Sequence, residues 1–489
     1  MQSRIVGLTF GFLLLMIVLW TSIEDEQPVY IAYKSSLTAN QWLKRDLFRS
    51  KQNDKFKDRR FVRPAETEHV PCDKVFNPNV DRFSLARKYQ VKYDDPSKEA
   101  QLPMDCESIK KRNNFYEQPL SEAERNFPLA YARNIFSDYR FIEMELSTTY
   151  APQNHYCFSI DGNSSPIFRK RMMSLSRCFP NIYITNLTLR MDSAGHNTNA
   201  HHHECLKVLG VPSRKWRYVM LLQNYDVMLK TNQELVQILT WYNGTNDVTT
   251  EVRAEVSRFR RTFNSLKLFK DSKRNFLKVN GIAPTLGVTR SFVQNTMSRE
   301  AIDFILEKLN LDILIGLFNA EAWTGDEYLS STLNSDDNIQ LPGGFTRRCK
   351  HAGIIIGKTR YNVWIRNQTM CDSQLWRHNA CIFGLEDLRP KFVDNPFFIA
   401  NKLMPSYDFG AITCLHEMVF NRTYHDRGFH RLNKDEYLKL PQVRFNKQRN
   451  RLGASFDPEK FDCTKHQNEY IGTNILRSGL RVSILGKNQ

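Results

Sequence analysis

The sequence lacks the short motifs that mark the common nucleotide-binding folds, zinc proteases and serine hydrolases. Neither Gly-rich phosphate loop occurs, whether G-x-x-x-x-G-K-S/T or G-x-G-x-x-G. There is also no H-E-x-x-H, no paired C-x-x-C zinc spacing and no G-x-S-x-G nucleophile elbow. No internal repeat of solenoid length is visible. Nucleotide binding through those loops and the common hydrolase chemistry are therefore disfavoured.

The composition is that of a globular protein with a basic surface. Of the 489 residues, 41% are hydrophobic and 25% are charged, which excludes global disorder and a fibrous repeat. Lys and Arg total 69 against 52 acidic residues, giving a net charge of +17. Such a surface attracts anions, and the candidates are nucleic acid, anionic lipid, phosphate-bearing small molecules and acidic glycans.

Cysteines and glycosylation acceptors indicate an oxidising compartment. The chain has 10 cysteines, more than a cytosolic protein of this size needs. It also has five N-x-S/T acceptors, which predict N-glycosylation in a secretory compartment. These acceptors are Asn163, Asn186, Asn243, Asn367 and Asn421.

The N-terminus predicts a signal anchor. Residues 5–23 carry no charge, follow a tail (1–4) whose only ionised side chain is Arg4, and precede three acidic residues (24–26). This length nearly spans a bilayer, and the charge asymmetry places the tail in the cytoplasm and the body in the lumen. The alternative is a cleaved signal peptide, for which residues 19–23, LWTSI, are a poor cleavage site. A lumenal body would not meet nucleic acid.

The chain between residues 127 and 222 alternates strand and helix patterns, which predicts an α/β fold with a central, mostly parallel sheet flanked by helices. Ligands bind such sheets at the carboxyl ends of the strands, where Asp161 and Asp226 lie. The predicted strands cover residues 127–136, 155–160, 181–185 and 218–222. Helices are predicted near 141–146, at 165–177 and at 200–209.

Three consecutive histidines, His201, His202 and His203, are not interpreted as a metal site. They lie on a predicted helix, where neighbouring side chains point in different directions.

Ten sequence blocks, in order, resemble the core-2/I-branching β-1,6-N-acetylglucosaminyltransferases. These are Golgi enzymes that move a sugar from a UDP donor to a glycan hydroxyl. Each block alone is weak, and their collinear order over residues 100–420 is the specific signal. The blocks are residues 105–106 (DC), 117–131 (EQPLSEAERNFPLAY), 150–157 (YAPQNHYC), 176–179 (SRCF), 230–232 (KTN), 298–300 (SRE), 324–329 (TGDEYL), 381–384 (CIFG), 386–388 (EDL) and 400–402 (ANK).

The resemblance implies a GT-A type glycosyltransferase domain. The domain organisation we predict is a cytoplasmic tail at 1–4, a transmembrane signal anchor at 5–23, a polar stem at 24–105, the catalytic domain at 106–430 and a C-terminal extension at 431–489 to which no function is assigned.

The family lacks the D-x-D motif that holds a divalent cation in most GT-A enzymes, and no D-x-D occurs here. The resemblance therefore implies no metal and no cofactor. Fixed side-chain cations would instead neutralise the departing UDP. Lys402 fits the family's diphosphate lysine. The corresponding arginine is Arg377 if the loop before Cys381 has one extra residue, and otherwise that position is His378.

Glu327, in the TGDEYL block, matches the family's catalytic base, which takes the proton from the acceptor hydroxyl. The alternative is that Asp326 and Glu327 merely cap the N-terminus of a helix, where acidic side chains are favourable. The two interpretations are compatible. Family members have proline where this chain has Gly325, which predicts a looser backbone beside the base.

Three further residues match the family's substrate contacts. Asp161 matches an aspartate on the uridine side, although a turn at Gly162 explains it equally well. Glu251 and Trp364 lie where the family contacts the acceptor and the sugar, in sequence that has diverged.

The family's disulfides would map to Cys72–Cys414, Cys106–Cys178, Cys157–Cys205 and Cys371–Cys381. Cys349 and Cys463 are left over. Either they pair with each other and tie the C-terminal extension to the domain, or one forms an intermolecular bridge that gives a homodimer.

The sequence thus predicts a type II Golgi membrane enzyme that transfers a sugar, N-acetylglucosamine first, from a UDP donor to a glycan or glycoprotein acceptor, with inversion and in O-glycan branching. UDP-xylose and UDP-glucose remain alternative donors. The rival from another class is a lumenal glycan-binding pseudoenzyme, favoured by Gly325 and by the Arg377 offset. A secreted hydrolase would need two flanking carboxylates, which nothing in the sequence suggests.

Overall fold

A computed structural model describes residues 59–113, 115–251, 261–352, 354–355, 357–427 and 432–465. All of these residues belong to one structural unit, residues 56–489. The predicted tail and signal anchor, and residues 24–58 of the predicted stem, lie outside the described residues. Within the ranges just given, no helix combines the length and the hydrophobicity needed to cross a bilayer.

A five-stranded sheet forms the centre of the unit, in the order β3-β2-β1-β4-β7. The first four strands run parallel, and β7 pairs antiparallel with β4 at one edge. The carboxyl ends of the four parallel strands and the start of β7 therefore lie along the same end of the sheet, which we call its carboxyl edge. The five strands are β1 (Leu129–Ile135), β2 (His155–Ile160), β3 (Ile182–Ile184), β4 (Tyr218–Leu222) and β7 (Asn295–Ser298).

Both faces of this sheet are buried, as continuous apolar strands require. In β4, Tyr218, Met220 and Leu222 join one hydrophobic cluster, whereas Val219 and Leu221 join the other. Successive side chains of a strand point to opposite faces, so each strand supplies both cores.

A smaller sheet has the order β5-β12-β9, with β12 antiparallel to β5 and parallel to β9. It brings the chain after β4 next to two late segments of the sequence. The remaining short strands are β5 (Val227–Met228), β6 (Thr250–Glu251), β8 (Ile354–Ile355), β9 (Arg360–Tyr361), β10 (Trp376–Arg377), β11 (Ala380–Cys381) and β12 (Ile399–Ala400).

Helices cover both faces of the central sheet, and the four predicted strands and three predicted helices between residues 127 and 222 are confirmed. Their starts follow from local chemistry. Ser165 caps one helix by accepting from the N–H of Phe168, and Thr231 forms a reciprocal capping box with Glu234. The α-helices are α1 (Cys72–Val75), α2 (Arg82–Tyr89), α3 (Cys106–Arg112), α4 (Glu122–Asn126), α5 (Tyr139–Thr149), α6 (Pro166–Arg177), α7 (Thr198–Leu209), α8 (Asn232–Tyr242), α9 (Phe263–Leu266), α10 (Ser272–Asn275), α11 (Arg299–Lys308), α12 (Asp312–Asn319), α13 (Leu329–Ser335), α14 (Leu385–Phe392), α15 (Pro405–Tyr424), α16 (Lys434–Leu438) and α17 (Pro441–Leu452).

The segment 59–105, placed in the stem by its polar composition, packs against the domain. Val70, Val75 and Leu85 are buried in the main core, and Cys72 is bonded to Cys414 in α15. The packed domain therefore starts before residue 70 rather than at residue 106. Polar composition hid this because few apolar side chains are needed to dock two short helices.

Residues 432–465 of the C-terminal extension pack on the same domain. The buried ammonium of Lys358 pairs with Glu436 of α16 at 3.3 Å, and the Tyr437 hydroxyl donates to the carbonyl of Pro396 at 2.9 Å. The described residues of the extension are therefore part of the fold.

All ten cysteines are paired. The four bridges implied by the family resemblance are confirmed. Cys349 and Cys463 pair with each other, beside a cluster formed by Phe345, Phe445 and Phe461. The intermolecular alternative, and with it that route to a homodimer, is not what the structure shows.

Candidate functional site

The site is built around Asp226, in the loop that follows β4. Its carboxylate is fully buried and accepts from the backbone N–H of Gln223 at 2.6 Å. Burial raises the pKa of this carboxyl, an effect that the nearby Arg133 and Arg360 oppose. Asp226 is thus a buried, hydrogen-bonded anchor at the carboxyl edge of the sheet.

Two amide side chains surround Asp226. Gln294, just before β7, donates to its two oxygens at 3.0 and 3.1 Å, and Asn401, just after β12, donates at 2.7 Å. Each amide then accepts from Arg360: Nη1 donates to Gln294 Oε1 at 2.9 Å and Nη2 to Asn401 Oδ1 at 2.7 Å. The carboxylate and the guanidinium therefore face each other across a layer of two amides.

Arg360 lies in β9 and is 9% exposed. Its guanidinium carbon is 4.9 Å from the centre of the Phe292 ring and 5.8 Å from that of Trp364. The two rings lie 6.2 Å apart at an interplanar angle of 29°. Contact with two aromatic faces fixes the planar cation.

Glu327, the predicted base, ends a short 3-10 helix, Gly325–Glu327. Its side chain is 18% exposed and forms an ion pair with Arg290, with Oε2 accepting at 2.5 Å. Its backbone carbonyl accepts from the N–H of Ser291 at 2.7 Å. Glu327 and Arg360 attract each other electrostatically, so the predicted base belongs to the site that Arg360 centres.

Asp326 and Gly325 complete this short helix. Desolvation, and then the charge of Glu327, raise the pKa of Asp326 to about 7. A Cβ on Gly325 would lie 2.0 Å from the Phe318 carbonyl oxygen, so the close approach of two backbones requires glycine here. The prediction that Gly325 loosens the backbone beside the base is therefore wrong, because Gly325 is tightly packed against Phe318.

Lys402 follows β12 and is half-buried. Burial lowers the pKa of its ammonium to about 8, and the charges of Arg360 and Arg377 add to that effect, whereas Asp226 opposes it. Lys402, Arg360 and Arg377 thus form one cationic group.

A tight hairpin presents Arg377. β10 and β11 pair through a two-residue turn in which His378 and Asn379 have φ values of 50° and 61°. Such turns match the twist of paired strands. Arg377 lies 3.7 Å from the Met404 sulfur, and the pKa of His378 is lowered by burial and by the charges of Lys402 and Arg377. Both candidates for the second diphosphate cation therefore lie beside Lys402.

The other sequence-predicted residues are placed unequally. Trp364 belongs to the site through its contacts with Arg360 and Phe292. Glu251 lies in β6 with its backbone paired to Ile354, and its side chain is outside what the structure describes.

Asp161 follows β2 and is buried. Its Oδ1 accepts from the backbone N–H groups of Asn163 at 2.8 Å and Met191 at 3.0 Å. A Cβ on Gly162 would meet the Thr188 carbonyl oxygen at 2.3 Å, so glycine is required in this turn. The contacts of Asp161 in the structure are thus those of a side chain that stabilises a turn.

Two of the three consecutive histidines, His201 and His202, make buried hydrogen bonds within the fold. His201 contacts Ser159 Oγ at 2.7 Å and the Leu189 carbonyl at 2.9 Å, and His202 contacts the Leu222 carbonyl at 3.0 Å. Burial lowers the pKa of His202 to about 4 and keeps it neutral. Across the part of the chain that the structure describes, no three His, Cys, Asp or Glu side chains are grouped to hold a metal ion.

Sequence reasoning missed Arg360, Gln294 and Arg290. None of them lies in a motif, and each belongs to a different segment of the chain. The one available signal was an arginine next to a tyrosine in a short apolar strand, which is weak.

Together the fold and the site define a class: an α/β protein that presents a carboxylate and a group of cations at the carboxyl edge of a largely parallel sheet, where such folds bind ligands. The sequence model of the family described as Core-2/I-Branching enzyme matches residues 129–390, more than half of the chain. The chain belongs to that family. The resemblance inferred from the ten blocks is therefore confirmed.

Curated relatives agree with this assignment. The chain is 27% identical over 332 residues to the "Beta-1,3-galactosyl-O-glycosyl-glycoprotein beta-1,6-N-acetylglucosaminyltransferase 3" of Rattus norvegicus, covering 65% of this chain and 74% of that protein. It is 27% identical over 381 residues to the corresponding transferase 4 of Danio rerio, covering 74% and 86%. It is 26% identical over 330 residues to transferase 3 of Homo sapiens, covering 65% and 74%.

Proposed function

We propose that this protein is a glycosyltransferase that moves N-acetylglucosamine from a UDP donor to a glycan hydroxyl, with inversion and without a metal, in O-glycan branching. The observation that carries the proposal is that Arg360 interacts electrostatically with both Glu327 and Lys402, and that Arg377 interacts with Lys402. Three relatives are named as β-1,6-N-acetylglucosaminyltransferases, which supports the donor.

In the proposed reaction Glu327 is the general base. Its carboxylate takes the proton of the acceptor hydroxyl while that oxygen attacks the anomeric carbon from the face opposite UDP. One carbon–oxygen bond forms, and the bond between the anomeric carbon and the β-phosphate oxygen breaks, with its electron pair leaving on UDP. The ion pair with Arg290 orients the carboxylate for this role.

Lys402 and Arg377 would neutralise the charge that develops on the departing diphosphate, with His378 as the alternative to Arg377. Preorganised cations in a partly dry site act strongly on developing charge. This arrangement, and the absence of D-x-D from the sequence, are the grounds for proposing a metal-free GT-A enzyme with no cofactor.

The remaining substrate contacts are assigned on the same basis. We place the uridine beside Asp161 and the transferred sugar or the acceptor against Trp364, whose ring is half-buried next to Arg360. Glu251 is the weaker acceptor candidate. UDP-xylose and UDP-glucose are the alternative donors.

The cellular setting we propose is the Golgi membrane, with a single N-terminal anchor at residues 5–23 and the catalytic domain in the lumen. Five disulfides in one chain suit an oxidising compartment.

The test is sugar transfer by the full-length protein with a panel of UDP-sugars and O-glycan core acceptors, in the presence of EDTA. We expect one donor to be turned over, and Glu327→Gln to lower kcat by about a thousandfold, because a carboxamide cannot accept the proton. The product linkage, determined by NMR, should show inversion at the anomeric carbon.

Glu307→Gln is the matched control, since Glu307 is 65% exposed on α11 and contacts only the neighbouring Lys308 among its described ion pairs. It should retain wild-type turnover. Dependence on manganese would contradict the metal-free proposal. UDP binding without transfer to any acceptor would favour the glycan-binding pseudoenzyme.

A further inference from the structure

Arg360 is a buried cation without a directly paired carboxylate among the described residues. Its two hydrogen bonds go to neutral amide oxygens, those of Gln294 and Asn401. Its Nε is also buried and has no hydrogen-bond partner. Burying a charge in this way is costly, so a purely structural role would favour a direct carboxylate partner or an apolar side chain.

Lys358, two residues earlier, is also a buried cation, but it has a carboxylate as its direct partner. Its side chain is fully buried, pairs with Glu436 at 3.3 Å and lies 5.0 Å from the centre of the Phe397 ring. Lys358 therefore stabilises the contact with the C-terminal extension and is neutralised there. Arg360, by contrast, is held with its charge only partly compensated.

Arg360 interacts with both halves of the site. It attracts Asp326 and Glu327 electrostatically, and it repels Lys402. It also holds the backbone next to Lys402 through Asn401, whose amide is fixed in turn by Asp226.

We propose that Arg360 is a positioning residue of the transfer reaction: through Asn401 it fixes the segment that carries Lys402, and it supplies positive charge near the carboxylates of Asp326 and Glu327. This inference rests on the proposed glycosyl transfer at the site. The observations that support it are the amide layer, the two aromatic rings and the electrostatic interaction of the guanidinium with both Glu327 and Lys402.

The charged groups around Arg360 determine how pH should act. Asp326 has a pKa of about 7, which Arg360 lowers, and Lys402 has a pKa of about 8, which Arg360 also lowers. Removing the guanidinium therefore moves both values upward. The groups that face it directly or through one neighbour are Asp226, Asp326, Glu327, Lys402, Arg133, Arg290, Arg377 and His378.

The experiment compares the wild type, Arg360→Gln, Arg360→Lys and Lys358→Met as full-length proteins. For Arg360→Gln we expect kcat to fall about a hundredfold, within the range seen when one preorganised electrostatic donor is removed. The acid and alkaline limbs of the kcat/KM profile should both move up by about one pH unit. UDP should bind about tenfold more weakly, measured by calorimetry.

Arg360→Lys keeps the charge, so it should retain the wild-type limbs with a smaller loss of kcat. Lys358→Met should lower the melting temperature and leave both limbs in place. Secretion, melting temperature and disulfide mapping show whether each variant is folded. If Arg360→Gln is unfolded, Arg360→Lys decides, because a shift of its limbs as large as that predicted for the charge-removing variant would overturn the inference.

The two proposals fail in different ways. If the wild type transfers sugar and Arg360→Gln has unshifted limbs and unchanged UDP affinity, the role of Arg360 is wrong and the function stands. If the wild type transfers nothing, the proposed function is wrong, and UDP affinity still tests Arg360. If the wild type also fails to bind UDP, both are overturned.

Discussion

The protonation of Lys402 should control UDP affinity in a measurable pH range. The pKa of this lysine is about 8, because burial and the charges of Arg360 and Arg377 disfavour the ammonium. The ammonium is present below that value and lost above it. If UDP binds only the charged form, its affinity should be about tenfold lower at pH 9 than at pH 7, or about 1.4 kcal/mol.

Isothermal titration calorimetry with UDP alone, on the full-length protein, measures this dependence without requiring transfer. Lys402→Arg is the matched control, since a guanidinium stays charged throughout this range. Its affinity should be nearly constant with pH, even though the geometry of the contact changes. Any change in the ionisation of UDP itself would affect both proteins equally and can be subtracted.

Two results would refute this reasoning. An affinity that stays constant up to pH 9 in the wild type would mean that Lys402 does not bind the diphosphate or that its pKa is not lowered. An equal loss of affinity in Lys402→Arg would assign the pH dependence to another group, with His378 excluded because its lowered pKa places its titration on the acid side.

Two other expectations concern the disulfides and the glycans. Replacing Cys349 and Cys463 together by serine should lower the free energy of unfolding by up to about 5 kcal/mol, because the bridge closes a loop of 114 residues. Chemical denaturation measures this loss, and an unchanged unfolding midpoint would contradict the prediction. N-glycans should be found at the exposed residues Asn163, Asn186, Asn243 and Asn421 but not at Asn367, whose Nδ2 is buried. Glycopeptide mass spectrometry checks each site. Full occupancy at Asn367 would contradict this prediction and would show that the amide is accessible before folding.

The sequence alone determined the features that local chemistry encodes. Apolar runs of strand length, alternating with segments of helical pattern, predicted the first four strands of the sheet and the helices between them, because these signals act within a few residues. Asp226 could be placed at the carboxyl edge for the same reason. The family resemblance supplied the four disulfide pairings and the position of Glu327.

Tertiary structure alone decided how the site is assembled. Asp226, Gln294, Arg360 and Asn401 come from four separate segments, and the hydrogen bond between Asn401 and Asp226 joins residues 175 positions apart. No local period relates such residues, so neither the amide layer nor the interaction of Arg360 with both Glu327 and Lys402 could be predicted. The docking of residues 59–105 was hidden for a related reason, since a few buried side chains in a polar segment acquire meaning only against the surface that covers them.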